Sequence, residues 1–568
     1  MKLNLREVPF SFRGSYLAVS YLEGCFNHQK IEKGMYLRTV HGSASSSFVA
    51  RIETESMDAV EENGYEAAAD VLRVEKGGKE CRMAFHDADT LLLKGNLPMT
   101  FDFMSEGLPF TFCQPMQAGE REFVLMNCFR NNCRYVLRAQ QGRIEVEQEW
   151  DGSTAAYCRL HFLPEESGEY LVSLEEAFED WQDRGWDFDF EETAACSRKA
   201  FEAFYASMPS VEAQYEETAR IAAYVDWSSI VKPCGLLTRE SMLMSKNWMC
   251  NVWSWDHCFN AMALSYGNPK EAWDQFLVLF DHQKPSGNIP DSVNDSKPIH
   301  NYCKPPIHGW ALRKLMGVME LSMEQLAEAY DKLARWTDWW LNCRDENKDG
   351  LCEYTHGNDS GWDNSTAFRK LPPATLPDLA AFLVLQMDVL AEVAGKLGHQ
   401  ADRRMWEQRR DEMKARMLEE LFVDDLPAAY AGLEKERVET DSLILYLPIV
   451  LGRLLPEKIQ KRMIEALKGD KFLTAWGLAT ESPKSRFYES DGYWRGPIWA
   501  PSTMLILDGL MECGEKEYVQ QVTRRFCEMV GKSGCAENFD ALTGDGLRDR
   551  AYTWTASVML VMAHEYLA

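Results

Sequence analysis

Asp363 and Glu537 are carboxylic acids set in turn-rich, partly aromatic segments far apart in the chain. Asp363 lies in Asn358-Asp-Ser-Gly-Trp-Asp-Asn-Ser365, beside Trp362. An apolar ring next to a carboxyl disfavours its charge and keeps its proton available for donation. Glu537 lies in Cys535-Ala-Glu-Asn-Phe-Asp-Ala-Leu-Thr-Gly-Asp-Gly546, between short apolar stretches, where a glutamate can polarise water. Ser490-Asp-Gly-Tyr-Trp-Arg-Gly-Pro-Ile-Trp499 crowds Tyr493, Trp494, Arg495 and Trp499 around Gly492, Gly496 and Pro497, so these side chains are presented from a loop. Flat aromatic faces beside a guanidinium suit a pyranose ring, whose C–H face stacks on indole while its hydroxyls need charged partners. Trp253, Trp255 and Asp256, in Asn247-Trp-Met-Cys-Asn-Val-Trp-Ser-Trp-Asp-His-Cys-Phe259, offer a ring face and a carboxylate at a helix start. Each signal has a plainer alternative. Asp363 and Asp256 also read as an Asx-turn or a helix cap, Glu537 as a solvated loop residue, and the tryptophans as core.

A fifth segment, Asp345-Glu-Asn-Lys-Asp-Gly350, has the oxygen spacing of the first half of a calcium loop. Asp345, Asn347 and Asp349, completed by Glu353, form a candidate structural calcium site. His356 stands where the twelfth-position glutamate would be, and an Asx-rich turn is the competing reading.

The composition narrows the partners. With 46% hydrophobic and 26% charged residues the chain is a globular protein, and its 568 residues exceed one ordinary core, which predicts two domains. A formal net charge of −27 opposes binding to nucleic acid or to an anionic membrane and leaves neutral small molecules such as carbohydrates unopposed. Met1–Phe10 lacks an apolar stretch of signal-peptide length, and no apolar run approaches the roughly 20 residues that span a bilayer. A cytoplasmic location is expected. The 16 cysteines contain no C-x-x-C and are expected to be reduced, buried, small hydrophobes. Cys128 and Cys133 lack a companion histidine cluster, so zinc is not expected.

The elements that position these segments fall into three stretches. Residues 1–173 alternate as strands, as in Arg143–Trp150 and Ala69–Glu75, with turns at Gly77-Gly78 and Asp151-Gly152, and predict a β-sandwich. Residues 174–210 read as a charged helical linker. Residues 211–568 are almost wholly helical, with helix starts near Glu212, Trp255, Pro269, Pro306, Ser322, Leu376, Gln400, Asp441, Pro456, Trp499, Glu515 and Ala551. Paired into hairpins and closed in a ring, they make an (α/α)6 barrel. A solenoid of helix pairs is the alternative, but the sequence lacks its regular repeat. Long loops at Pro285–Pro305, Asp345–Pro373, Thr480–Pro497 and Ser533–Arg550 hold most of the segments above, as functional loops do.

In this order, Trp253-Ser-Trp-Asp-His-Cys-Phe259, Lys304-Pro-Pro-Ile-His-Gly-Trp310, Ser360-Gly-Trp-Asp-Asn-Ser365, Tyr493-Trp-Arg-Gly-Pro-Ile-Trp499 and Glu537-Asn-Phe-Asp-Ala-Leu-Thr-Gly544 resemble the motifs of glycoside hydrolase family 63 and its relatives. The resemblance runs from about Val211 to the C-terminus. Asp359 stands where many relatives carry glutamate, and the N-terminal domain has no clear family signature. The resemblance implies an inverting, exo-acting α-glycosidase of (α/α)6-barrel fold, with an α-glucosidase of small glucosides the leading expectation and an α-mannoside or glycosylglycerate hydrolase the alternative. It also implies that Asp363 is the general acid, Glu537 the general base, and that Trp253, Trp255, Asp256, Trp362, Tyr493, Trp494, Arg495, Gly496 and Trp499 line the sugar subsites. Inverting hydrolysis needs one carboxyl to protonate the departing oxygen and the other to activate water on the opposite face, about 6.5–9.5 Å away. No cofactor enters that chemistry. A phosphorylase of the same architecture is the rival, with Arg548 and Arg550 as its phosphate pocket. A binding protein that keeps only the aromatic cradle is a third reading.

Overall fold

The computed structural model describes residues 1–567 except 27–28, 43–47, 104–109, 119–120, 166–167, 179–180, 182, 184 and 186. The N-terminal part is a sandwich of two antiparallel sheets. One runs in the order Phe10–Ser11, Leu17–Phe26, Gln29–Thr39, Phe48–Thr54, Met99–Phe103, Ala155–Leu163 and Arg143–Trp150, with Asp58–Ala59 at the side. The other runs Phe112–Ala118, Arg121–Cys128, Cys133–Gln141, Tyr170–Ala177, Thr90–Gly95, Lys79–Phe85, Leu72–Lys76 and Tyr65–Ala67. Alternate residues such as Leu17, Val19, Leu37, Ile52, Leu91, Leu93, Phe101 and Phe162 bury one face of each sheet, as the two-residue period of a strand requires.

The expected linker at 174–210 begins differently. Tyr170–Ala177 is a strand covered on both faces, and the helix α1 is Phe190–Ser207, capped by the Asp189 carboxylate accepting from the Glu192 amide at 3.0 Å. The charges from Leu174 onward read as a helical linker packed across the domain junction. In the fold Glu175 pairs with Arg138 at 2.7 Å and Glu176 accepts from the Tyr135 hydroxyl at 3.2 Å, which is how a strand buried on both sides keeps carboxylates. Phe190 and Ala194 of α1 lie on the outer face of this sheet, against Ala84, Leu92 and Leu171.

Twelve helical segments follow. Six form a closed inner ring: α3 (Asp256–Leu264), α5 (His308–Val318), α7 (Pro377–Lys396), a 3₁₀ segment (Leu443–Leu454), α10 (Ala500–Glu512) and α12 (Thr553–Leu567), each touching the next and α12 touching α3. The outer six are α2 (Glu216–Ser229), α4 (Pro269–Leu277), α6 (Met323–Cys343), α8 (Gln400–Glu420), α9 (Glu457–Lys468) and α11 (Lys516–Ser533). This is the (α/α)6 barrel, with starts within a few residues of those expected. The inner helix α3 is buried at every residue, whereas α9 buries only Ile459, Met463 and Leu467, one stripe at i, i+4 and i+8. Inside the ring the polar groups pair with one another: Asn260 donates to Thr553 at 3.1 Å, and the Ser557 hydroxyl reaches Asn260 at 3.0 Å and Asp226 at 3.1 Å.

Sandwich and barrel share one hydrophobic core. Lys246 of the barrel side donates to Ser11 Oγ at 3.0 Å and to the Ser15 carbonyl at 2.5 Å, and His41 Nδ1 meets Asp295 Oδ2 at 2.7 Å. Among the described residues no helix is long and apolar enough to cross a membrane.

Candidate active site

The singled-out segments converge because each immediately precedes an inner helix. Val252–Trp255 leads into α3, 298–307 into α5, 344–376 into α7, 480–499 into α10 and 535–552 into α12. A ring of parallel inner helices therefore gathers their N-terminal loops at one end of the barrel.

Four of the tryptophans pack together beneath these loops' backbone turns. Trp494 lies flat on Trp499, ring centroids 3.9 Å apart and planes 7° from parallel, and Trp362 covers Trp494 at 4.6 Å. Trp255 sits 6.2 Å from Trp494 and edge-on to Trp554 at 5.7 Å. All four are buried. Gly361 is essential here: its φ of +74° is left-handed, and a Cβ would stand 2.5 Å from the Trp255 ring. Gly496 likewise approaches the Glu489 carbonyl to 2.2 Å from where a Cβ would stand. Trp253 and Tyr493 are only half-buried. Of the aromatic residues expected to face a sugar, these two have open surface, while Trp255, Trp362, Trp494 and Trp499 bury their faces in the protein. Trp362 Nε1 and Trp494 Nε1 nevertheless have no protein partner, nor does Asp256 Oδ2. Buried polar atoms left open in this way are rare enough to call for a reason.

The acids come from these same loops and lie near enough to influence one another. Asp363 follows the 3₁₀ turn Gly357–Ser360, and its carboxyl is held above the ordinary range by burial, with the Lys304 ammonium opposing. Glu537 is pushed up to about 7 by burial; Asp549 and Asp363 add to the shift, while Arg548 and the hydrogen-bonding Tyr493 hydroxyl oppose it. Asp363 and Glu537 thus stand close enough to feel each other's charge, and Tyr493 feels both. Asp256 is pushed up to about 8, by burial first, with Asp291 and Asp363 adding. It occupies the first turn of α3, and its Oδ2 has no protein partner.

Several residues that tie the site together gave no signal in the sequence reading. Asn364 donates to the Gly492 carbonyl at 3.0 Å and accepts from the Trp494 amide at 3.0 Å, clipping the Asp363 loop to the Tyr493 loop. Lys304, seen only as part of a motif, pairs with Asp291 at 3.1 Å and donates to the Asn358 carbonyl at 2.9 Å. The Glu537 amide donates to the Asp549 carbonyl at 2.7 Å, and the Asn247 side-chain amide donates to Asp549 Oδ1 at 3.0 Å. Arg495, expected among the sugar ligands, turns to Glu489 at 2.9 Å.

The calcium candidate lies outside this cluster and does not fit a cation. Both Asp345 oxygens accept backbone amides, from Asp349 and Gly350 at 3.1 Å each. Asp349 Oδ1 accepts the Leu351 amide at 2.8 Å, and Glu353 Oε2 accepts the Glu346 amide at 2.8 Å. The Lys435 ammonium sits on Asp349 Oδ2 and on Glu420. The spacing builds an Asx-rich turn neutralised by a lysine, and a dication there would face that ammonium.

The phosphate pocket imagined for Arg548 and Arg550 does not form either. Arg550 Nη1 donates to the Ser533 carbonyl at 2.8 Å, and Arg548 Nη1 is paired with Asp491 at 2.7 Å.

A β-sandwich joined to an (α/α)6 barrel, with two carboxyls and a cluster of indoles on the loops that enter the inner helices, is the architecture of a glycoside hydrolase. The chain belongs to the mannosylglycerate hydrolase MGH1-like glycoside hydrolase domain family, whose model matches residues 249–555, just over half of the sequence. It is 22% identical over 398 residues to mannosylglycerate hydrolase MGH2 of Selaginella moellendorffii, covering 54% of this chain and 79% of that one. Over 411 residues it is 22% identical to the glucosylglycerate hydrolase of Mycolicibacterium hassiacum, covering 55% and 91%. The glycoside hydrolase family 63 mannosylglycerate hydrolase of Thermus thermophilus, solved with glucose, superposes with a TM-score of 0.54 at 19% identity, over 60% of this chain and 99% of that one. A bacterial glucoamylase solved with acarbose superposes over 100% of this chain and 94% of its own, with a TM-score of 0.66 at 11% identity, so its fold includes the sandwich.

Proposed function

We propose that this protein is an inverting, exo-acting hydrolase of a small α-glycoside, with a glycerate glycoside of mannose or glucose as substrate. The observation that carries the reading is that Asp363 and Glu537, carboxyls on separate loops that both act on Tyr493, are each held above the ordinary range by burial. The names of the relatives favour glycerate glycosides over the plain α-glucoside expected from the motifs.

Breaking an acetal C–O bond through an oxocarbenium-like transition state requires a proton on the leaving oxygen and a nucleophile at the anomeric carbon. In this reading Asp363 gives its proton to the glycerate oxygen, and Glu537 takes one from the water that attacks the opposite face. The sugar leaves with inverted configuration. Asp256 Oδ2, Trp362 Nε1 and Trp494 Nε1 meet its hydroxyls, and Trp253 and Tyr493 flank its ring. The productive form has the proton on Asp363 and the charge on Glu537, whereas in the free enzyme burial raises Glu537 further than Asp363, to about 7. The 15 described cysteines are all free thiols, which supports a reducing, cytoplasmic setting.

The test is proton NMR within the first minutes of mixing with α-mannosylglycerate, α-glucosylglycerate or maltose. Release of a β-sugar and free glycerate supports the reading. Turnover of maltose alone returns the substrate to the α-glucoside class, and an α-anomeric first product refutes inversion.

A further inference from the structure

Two residues at the mouth of the site adopt left-handed backbone without being glycine: Tyr493 at φ +63° and Arg548 at φ +60°. Such conformations cost on the order of 1–3 kcal/mol and persist where surrounding structure holds them. The two strained residues meet. The Arg548 guanidinium carbon lies 4.9 Å from the centre of the Tyr493 ring, in cation–π range. Its Nη1 donates to Asn538 Oδ1 at 3.0 Å, and Asn538 follows Glu537 in the two-residue strand Asn538–Phe539 that pairs with Gly546–Leu547. The same nitrogen is 2.7 Å from Asp491 Oδ1, on the loop that leads into Tyr493. Arg548 therefore ties the Glu537 hairpin to the Tyr493 loop.

We propose that Arg548 is a positioning residue that clamps the Tyr493 loop onto the Glu537 hairpin and so fixes Glu537 beside Tyr493. The inference rests on the proposed role of Glu537 as base. The charged and titratable groups facing Glu537 are Asp549 and Asp363, which oppose its ionisation, Arg548, which favours it, and Tyr493 and Tyr552. Arg548 is the cation among them. Asp491, with its side chain 67% exposed, offsets part of that charge from outside.

Two substitutions of opposite sign test this in the full chain, with α-mannosylglycerate or α-glucosylglycerate, whichever is turned over. Arg548→Gln is expected to lower kcat at least about tenfold and to move the acid limb of kcat/KM upward by about one pH unit. Arg548→Lys, which keeps the charge but loses the fork, should return the limb toward its original position while kcat stays reduced. Asp491→Asn, a surface change, should move the limb downward. Coincident limbs in Asp491→Asn and the parent, or equal limbs in Arg548→Gln and Arg548→Lys, overturn the proposal. Glu537→Gln separates it from the reading beneath: a fully active Glu537→Gln removes the base itself, whereas an inactive Glu537→Gln with an unmoved Asp491→Asn limb removes only the role of Arg548.

Discussion

Trp494 lies face to face on Trp499, 3.9 Å between ring centroids, with both rings closed to solvent. The stack makes the most conspicuous aromatic motif of the sequence part of the packed core. Trp499→Ala should therefore cost about 3–5 kcal/mol of stability, the range for emptying a large aromatic site, measured by denaturant unfolding. Trp253→Ala, at a half-buried ring, should cost less stability and show its effect in KM.

Asp363→Asn and Glu537→Gln should each reduce kcat by at least about 10²–10⁴-fold with the fold intact by circular dichroism. Retained turnover in either variant removes that residue from its role.

Burial raises Glu537 to about 7, above its unfolded-state value. A base must be ionised, so kcat/KM should fall as pH drops below about 7 in the free enzyme. The stability linkage has the opposite sense. A carboxyl with a raised folded pKa contributes stability that is present below the unfolded value and lost as pH rises through the folded one. Glu537→Gln should consequently raise the melting temperature relative to the parent at pH 8 and do so less, or not at all, at pH 5. A pH-independent difference in thermal scans would count against the shift.

Asn364 holds two loops together through one side chain, at 3.0 Å to each. Asn364→Ala leaves a carbonyl and an amide without that partner and should cost about 1–3 kcal/mol. Its kcat should fall because Asp363, the adjacent residue, loses its register against Tyr493. Equal kcat in the variant and the parent would refute that coupling.

Lys435 occupies the acidic turn at Asp349. Chelation with EDTA should leave the melting temperature unchanged, while Lys435→Met should lower it by leaving Asp349 and Glu420 without their shared cation. A melting point that falls on chelation and recovers with added calcium would contradict the fit described here.

Most of the barrel was legible in the chain because inner and outer helices differ in composition: α12 is apolar all round and α9 along one stripe, a difference that burial imposes residue by residue. Asp363, Glu537 and Asp256 were legible as well, since a carboxyl among rings and turn residues is a local pattern. The strand Tyr170–Ala177 was not, because Glu175 and Glu176 look solvent-facing until Arg138 and Tyr135, distant in sequence, meet them. Asp345 and Asp349 carried metal-like spacing, and only the approach of Lys435 from a separate hairpin revealed a turn neutralised from within. Which indoles have open faces, and which cation leans on Tyr493, also required the closed ring of helices. Side-chain type and local period act through nearest neighbours and are written along the chain. Charge pairing, stacking and solvent exclusion act between segments hundreds of residues apart, and only the folded arrangement brings those segments within range of one another.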